Sequence, residues 1–475
     1  AYAGESVTVR DSSGQVRYAA PMDPENACPA LQSALDTVRS GAYGTCTVTV
    51  TPGEYRMTKS AVLASDMTLN LTGVTLLNAN AGKGNIFISP NRDRTGKDYT
   101  GYSALENCTL RGGTLDYAPG NTNGSCLLRL AHCKNVTVDG TAFLNNTDSH
   151  HAELAAGYNV RFVNCLFSGQ TNQTESSAEA LQIDILEKNR HFANFPAYDG
   201  TMNQKITVED CTFQDLIYGV GTRNAFAGRY QKGVTIRGNT FRRLQGTAIV
   251  CTNYVDAVIE KNTITDCGRG VAYYMCKNSG VTDVFTDGSG KVLGKRNTDC
   301  GSRITDNTIS VCQTAEMDKP RGMFLYGGKA AGKMPAGNYA VYNLTVSGNT
   351  ITTTGGGITG TDLQNCTLAD NRITHTGAAK ETTVGILLHG SSGNLIEKNT
   401  CTALHNGLKV YGRLPQQRAA EQHGNGQPLQ RRLHCGQQRG RGDGKHHSHR
   451  GHQRHFCAAE QKGTPAAQYH SGNGS

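Results

Sequence analysis

A short phrase returns again and again along this chain. It reads VRFVNCLF at 160–167, ITVEDCTF at 206–213, VTIRGNTF at 234–241 and AVIEKNTI at 257–264. It comes back as RITDNTIS at 303–310, LTVSGNTI at 344–351, CTLADNRI at 366–373 and NLIEKNTC at 394–401. A unit of about two dozen residues cannot bury its apolar face alone, so such units stack on one another. The expected fold is therefore all-β, a single parallel solenoid of about ten coils, or roughly 50 Å at 4.8 Å per coil.

One column of the phrase carries Asn239, Asn262, Asn307, Asn349, Asn371 and Asn399. It advances 28 residues from Cys211 to Asn239 and 23 more to Asn262. Asn at a turn can hydrogen-bond the coils above and below it. Cys108, Cys165 and Cys211 are assigned to the same column, as small buried hydrophobes. That lowers the disulfide potential of the 16 Cys. Cys28 and Cys46, which flank the first helical segment, are the pair most suited to a bridge. The absence of any C-x-x-C argues against a zinc or thioredoxin-type site.

Residues 1–25 read as an N-terminal extension that opens on Ala1-Tyr2-Ala3, which has the form of a processed secretory signal. Leu31, Ala34, Leu35 and Val38 then set the spacing of a short amphipathic helix within 26–40. A helix there would cap the open end of the stack, hiding its apolar face and unpaired edge. The helical solenoid domain is expected over 26–412. No apolar run approaches the roughly 20 residues of a membrane span, so no membrane insertion is expected.

The pattern stops after Gly412. Residues 413–475 contain no Val or Ile and eight of the 15 His. Eight Arg and two Lys against three acids give this segment +7 of the chain's +9. The nearly neutral body offers no electrostatic basis for nucleic-acid binding. The segment reads as a disordered basic tail or as the product of a reading-frame slip in mid-coil.

Excess residues between repeats fall at 186–204, 277–302 and 313–342, and long loops on a rigid stack commonly form the lip of a binding groove. Strand alternation places Leu154, Ile183, Val220 and Ile249 inward. The outward neighbours are then His151 and Glu153 in one coil, Gln182 and Asp184 in the next, and Gly221 and Arg223 in the third. Ala272 and Tyr274 continue the column, and the 186–204 loop brings Arg190 and His191 beside it. Glu153 and Asp184 become diagonal neighbours, with Cα atoms about 8 Å apart. Such a pair can run glycoside hydrolysis as acid and base or nucleophile, since neighbouring carboxylates push their pKa values apart. Glu179 and His150 lie where the coil bends and are assigned to neither face.

The segments ALQSALDTV, TVTVTPGEY and LASDMTLNLTGVTLL resemble the N-terminal cap and first coil of the pectate-lyase-like superfamily of right-handed parallel β-helices. More narrowly, HHAELAAGYNVRFVNCLFSG with SAEALQIDI is similar to secreted bacterial β-helix repeat proteins of gut-type, Gram-positive organisms. The resemblance covers roughly 26–412 and implies a right-handed coil, a bacterial secreted or cell-surface location and a polysaccharide partner. The Asp-Asp and Gly-His-Gly motifs of polygalacturonases and the Arg-rich signature of pectate lyases are absent. Asp148-Ser149-His150 matches the alginate-epimerase motif only in part.

The leading expectation is a monomeric glycoside hydrolase without a cofactor. Asp184 and Glu153 would be its acid/base pair, with His151 orienting substrate or assisting catalysis. Arg223, Gln182, Arg190, His191 and Tyr274 would bind substrate. Two alternatives stand beside it: a uronan lyase or epimerase using Ca²⁺, and a non-catalytic adhesin or glycan-binding rod.

Overall fold

In the computed structural model, residues 6–411 are described except 122–123, 148, 171–177, 189–191, 224–227, 278–283, 287–291, 296–299, 330–337, 379 and 381, together with five short backbone strands after 412. The chain winds as a solenoid whose parallel strands line three faces, described as three sheets; the first and third are joined into one network by the long strands Leu128–Asp139 and Ala152–Val163, and the second stands apart. The first sheet holds the opening of each repeat, for example Gln204–Glu209 paired in register with Thr235–Arg237. A sharp turn leads into the second sheet, which contains 14 strands. These exceed the ten coils expected because the stack begins at Cys46–Val50, in coils that lack the repeated phrase, and because the count includes Gln422–Gly424 and its antiparallel neighbour Gln427–Leu429. The third sheet follows, with strands such as Glu179–Asp184, Tyr218–Gly221 and Thr247–Thr252 lying side by side.

Identical residues meet their own kind in the core. Phe143, Phe167, Phe213 and Phe241 stack with successive ring centroids 4.7, 4.6 and 4.8 Å apart. All four rings are fully buried, so each coil contributes a large apolar surface to its neighbours. At the turn between the first two sheets, Asn239 Nδ2 donates to Asn262 Oδ1 at 3.0 Å. Asn262, Asn307, Asn349 and Asn371 each repeat the bond to the next coil at 2.9 Å, ending on Asn399. Each of these amides also reaches a backbone carbonyl, so a wholly buried polar column is satisfied.

The expected cysteine column needs one correction. Cys211 Sγ accepts from Cys165 N at 3.4 Å, and Cys211 N donates to Asn239 Oδ1 at 2.9 Å, so these two thiols do extend the ladder. Cys108 does not. It sits inside the first sheet opposite Met67 and Val136, six residues before its own coil's turn strand begins at Thr114. The bridge expected between Cys28 and Cys46 is also absent. Both thiols are free, and Cys28 Sγ faces Lys59 N at 3.3 Å and Met57 Sδ at 3.9 Å.

The helix α1 spans Cys28–Arg39 and buries Cys28, Leu31, Ala34, Leu35 and Val38 against the first coils, with Pro29 pre-set in its first turn. It does not cap the stack alone. Strands Val7–Asp11 and Val16–Ala20, within the segment read as an extension, form a hairpin. Val7–Asp11 pairs antiparallel with Cys46–Val50 and so covers the edge of the first sheet. Within 413–475, Arg418–Ala420 and Gln422–Gly424 continue two sheets in parallel register. The rest of that segment's structure, beyond its short strands, lies outside the described residues. No helix among the described residues is long and apolar enough to cross a membrane.

Candidate functional site

The outer face of the third sheet is flanked by the long insertions. Its rows follow directly from the register. Arg129, Glu153, Gln182, Gly221, Val250 and Ala272 stand opposite one another in successive coils. Two residues further along each strand lie Ala131, Ala155 and Asp184, and later Thr252 opposite Tyr274. Glu153 and Asp184 are therefore diagonal neighbours. The inward residues form two rows rather than one: Leu154 faces Ile183, whereas Val220 and Ile249 align with Leu181.

The 186–204 segment does not stand up as a lip. It lies down on the sheet, where Leu186, Phe192 and Phe195 pack on Ala131, Ala155 and Ala156. Small side chains in that row leave room for the two rings, and burying them drives the closure. The ring nitrogens of His132 meet the carbonyls of Gly101 at 2.7 Å and Ala197 at 2.9 Å, tying this segment to the 89–104 loop. Asp184 is buried beneath it, with Oδ1 accepting from Ile185 N at 2.9 Å. Asn203 pins the far end of the segment, accepting from Gly157 N at 2.7 Å and donating to the Asp184 carbonyl at 2.7 Å.

His151 is not on the outer face. The coil bends at this residue, and the ring turns inward against the edge of Phe167, its Nε2 3.1 Å from the Gly169 carbonyl. Complete burial holds its pKa down to about 4, so it stays neutral at ordinary pH. Arg223 is half-buried, two residues beyond Gly221. Tyr274 is buried edge-on to Tyr339, with centroids 5.3 Å apart. Gln182 is fully buried between Glu153 and Gly221, and neither of its amide atoms finds a partner among the described residues. Arg190, His191 and Asp148 lie outside the described residues.

The residue that does gather the site is His150, with Glu179 beside it. His150 Nδ1 lies 2.6 Å from the Glu179 carbonyl oxygen and 3.6 Å from Glu179 Oε2, while its Nε2 faces Glu153 Oε1 at 4.0 Å. A carbonyl oxygen only accepts, so Nδ1 carries a hydrogen and Nε2 is turned toward Glu153. Arg129 forms a buried ion pair with Glu153, and Cys126 Sγ donates to Glu153 Oε2 at 3.3 Å. The guanidinium of Arg129 in turn stacks on Phe192, 5.5 Å from the ring centroid.

The two carboxyls are driven in opposite directions. Burial would raise Glu153, but the charges of Arg129 and His150 outweigh it and hold the group below the usual carboxylate range. Burial raises Glu179, and the attraction of His150 and Arg223 only partly offsets it. The two groups are thus biased apart, Glu153 toward the carboxylate and Glu179 toward the acid, which is the direction acid–base catalysis requires. Gly221 makes room for this arrangement. A Cβ there would stand 2.9 Å from Glu179 Cγ and 2.9 Å from Val250 Cβ.

Sequence reasoning left Glu179 and His150 unassigned, because alternation does not say which way a side chain points at a bend. Register supplies the missing signal: Glu179 pairs with Tyr218, and the same row later holds Thr247, Arg269 and Arg321. Among the described residues no group of three or more His, Cys, Asp or Glu is arranged to hold a metal ion.

Comparisons with known proteins agree with this architecture. A model for the right-handed β-helix region matches residues 197–335, and one for the periplasmic copper-binding protein NosD matches 336–419. No curated protein sequence matches the chain. Among solved structures, the surface adhesin PfbA of Streptococcus pneumoniae is 18% identical with a TM-score of 0.58, covering 82% of this chain and 90% of its own. The tailspike protein of E. coli bacteriophage HK620, solved in complex with a pentasaccharide, is 14% identical with a TM-score of 0.53, covering 88% of this chain and 77% of its own. Stacked parallel strands on three faces, one continuous core, a ladder of turn asparagines and these matches lead to one assignment: the chain has the fold of a right-handed parallel β-helix.

Proposed function

We propose that this chain is a polysaccharide-active enzyme of the cell exterior, a glycoside hydrolase whose chemistry lies on the outer face of the third sheet. The observation that carries the reading is the oppositely biased pair Glu179 and Glu153, joined through His150. Glu179, biased toward its protonated form by burial, supplies the proton to the glycosidic oxygen. Glu153, held ionised, serves as base or nucleophile or stabilises positive charge on the sugar. Asp184, one row over, supports the site from beneath the 186–204 segment. Sugar binding is in keeping with the pentasaccharide held by the tailspike, and an extracytoplasmic location with the descriptions of NosD and PfbA.

A second reading, a glycan-binding surface module without turnover, is favoured by the ion pair of Arg129 with Glu153, which engages one of the two carboxylates. Incubation with a polysaccharide panel, read by reducing ends and by near-ultraviolet absorbance, separates the readings. New reducing ends without absorbance support hydrolysis, and unsaturated product supports elimination on a uronan instead. Saturable binding with no product supports the surface module. Full hydrolytic activity in both Glu179→Gln and Glu153→Gln would refute the assignment of the pair.

A further inference from the structure

The row that begins at Glu179 does not end at the carboxyl pair. It continues through Tyr218, Thr247, Arg269 and Arg321 to Gly356, one residue per coil. Five strand steps at about 4.8 Å place its far end roughly 24 Å from Glu179. A cavity of about 770 Å³ opens there, lined by Lys319, Arg321, Lys380, Lys409 and, as the one carboxylate among the described residues, Asp318, with His375 at its wall.

Three features of this end are unexplained by folding. First, Arg269 and Arg321 stand directly opposite each other on neighbouring strands, both over the ring of Phe324 at 4.5 and 5.2 Å. Like charges so placed repel, and neither makes an ion pair among the described residues. Arg269 Nε is buried without a hydrogen-bond partner. Second, His375 is buried at 5% exposure and neither ring nitrogen finds a partner among the described residues. Buried polar groups are ordinarily satisfied, so these are places where a bound molecule would supply what the chain does not. Third, the lining at position 356 is glycine, which leaves space for a ligand beside Arg321. A Cβ there would meet only ordinary contacts, at 3.6 Å from Arg321 Cγ and 3.7 Å from Thr359 Oγ1.

We infer that this cavity is a subsite for a carboxylate-bearing sugar, and that an acidic polysaccharide lies along the row from Glu179 to Gly356 with a uronate held by Arg321 and the surrounding lysines. A planar guanidinium matches a carboxylate in shape, and the apolar face of a sugar ring suits the exposed edges of Phe324 and Tyr218. The inference rests on the glycan reading of this face and names its substrate class. The chain's own 413–475 segment, at +7, carries the wrong charge to occupy a cationic cavity.

The test is titration calorimetry of the full chain with a galacturonate oligomer, a neutral galactose oligomer of equal length and a sulfated oligomer. The galacturonate oligomer is expected to bind, more weakly at high salt. Arg321→Gln is expected to weaken it roughly tenfold or more. Gly356→Leu, which fills the cavity while keeping every charge, is expected to weaken it similarly. Lys83→Gln, which removes an exposed positive charge in the first coils, is expected to leave it within about twofold. Absence of galacturonate binding, equal or tighter binding of the neutral or sulfated oligomer, or wild-type affinity in both Arg321→Gln and Gly356→Leu would overturn the inference. Turnover of a neutral glycan only would spare the proposed enzyme but not this subsite. Galacturonate binding without turnover would do the reverse.

Discussion

The imidazole of His150 bonds the backbone carbonyl of Glu179 at 2.6 Å and so presents its other nitrogen to Glu153. The ring is thereby fixed between two carboxyl groups of opposite bias. Hydrolysis is expected to follow a bell-shaped pH profile. The acid limb reports protonation of Glu153, below the ordinary carboxylate range, and the alkaline limb reports ionisation of Glu179, above it. Glu179→Gln is expected to reduce kcat by about 10²–10⁴-fold and to abolish the alkaline limb, as read from kcat against pH.

Arg129 and Glu153 form an ion pair that is almost wholly buried on the acid's side. Removing one partner strands the other, so Arg129→Gln is expected to cost about 3–5 kcal/mol in urea unfolding. The pH dependence has a definite sign. Glu153 is lowered in the folded state, so its contribution is complete above the ordinary value of 4.5 and is lost as the pH falls through the lower folded value. Glu153→Gln is expected to flatten the acid limb of the stability curve. An unchanged acid limb would show that the pair does not hold the carboxylate.

Gly221 lies against Glu179 at a distance no Cβ tolerates. Gly221→Ala is expected to displace the Glu179 side chain and lower activity about tenfold or more, with an overpacking cost of about 1–3 kcal/mol. Paired measurement of kcat and Tm separates the two effects. A variant with full kcat would show that Glu179 has slack in its position.

Asn262 joins three coils through its amide, bonding Asn239, Asn307 and the Ile236 carbonyl. Asn262→Ala leaves buried partners unsatisfied and is expected to cost about 2–3 kcal/mol by denaturant titration. Asn262→Cys is expected to cost less, because Cys211 already fills the same rung and accepts a backbone N–H there.

The fold was legible because stacking repeats one set of contacts many times. The Asn239–Asn399 column and the Phe213 and Phe241 rings each announce the coil in one glance at aligned phrases. The rows that set Glu153 opposite Gln182, and Asp184 diagonal to it, followed from strand alternation and agree with the observed register. What alternation could not show was which way the side chains point at the bend where the second sheet turns into the third. His151 falls on that bend and turns inward, while His150 and Glu179 turn toward the outer face. The hairpin Val7–Ala20 escaped notice because its pairing partner, Cys46–Val50, lies beyond α1. The closure of 186–204 depends on Phe192 and Phe195 meeting Ala131 and Ala155, contacts between distant segments that no local pattern encodes.

The thiols spread through the rod carry one more consequence. The described cysteines run from Cys28 to Cys401, all are unbridged, and all but Cys312 are buried. Each buried thiol can react with an alkylating reagent only when its own turn of the chain opens. The protein therefore contains a built-in set of position markers. The order in which those markers are modified in native buffer would map where the rod frays first and how far an opening travels before it reseals.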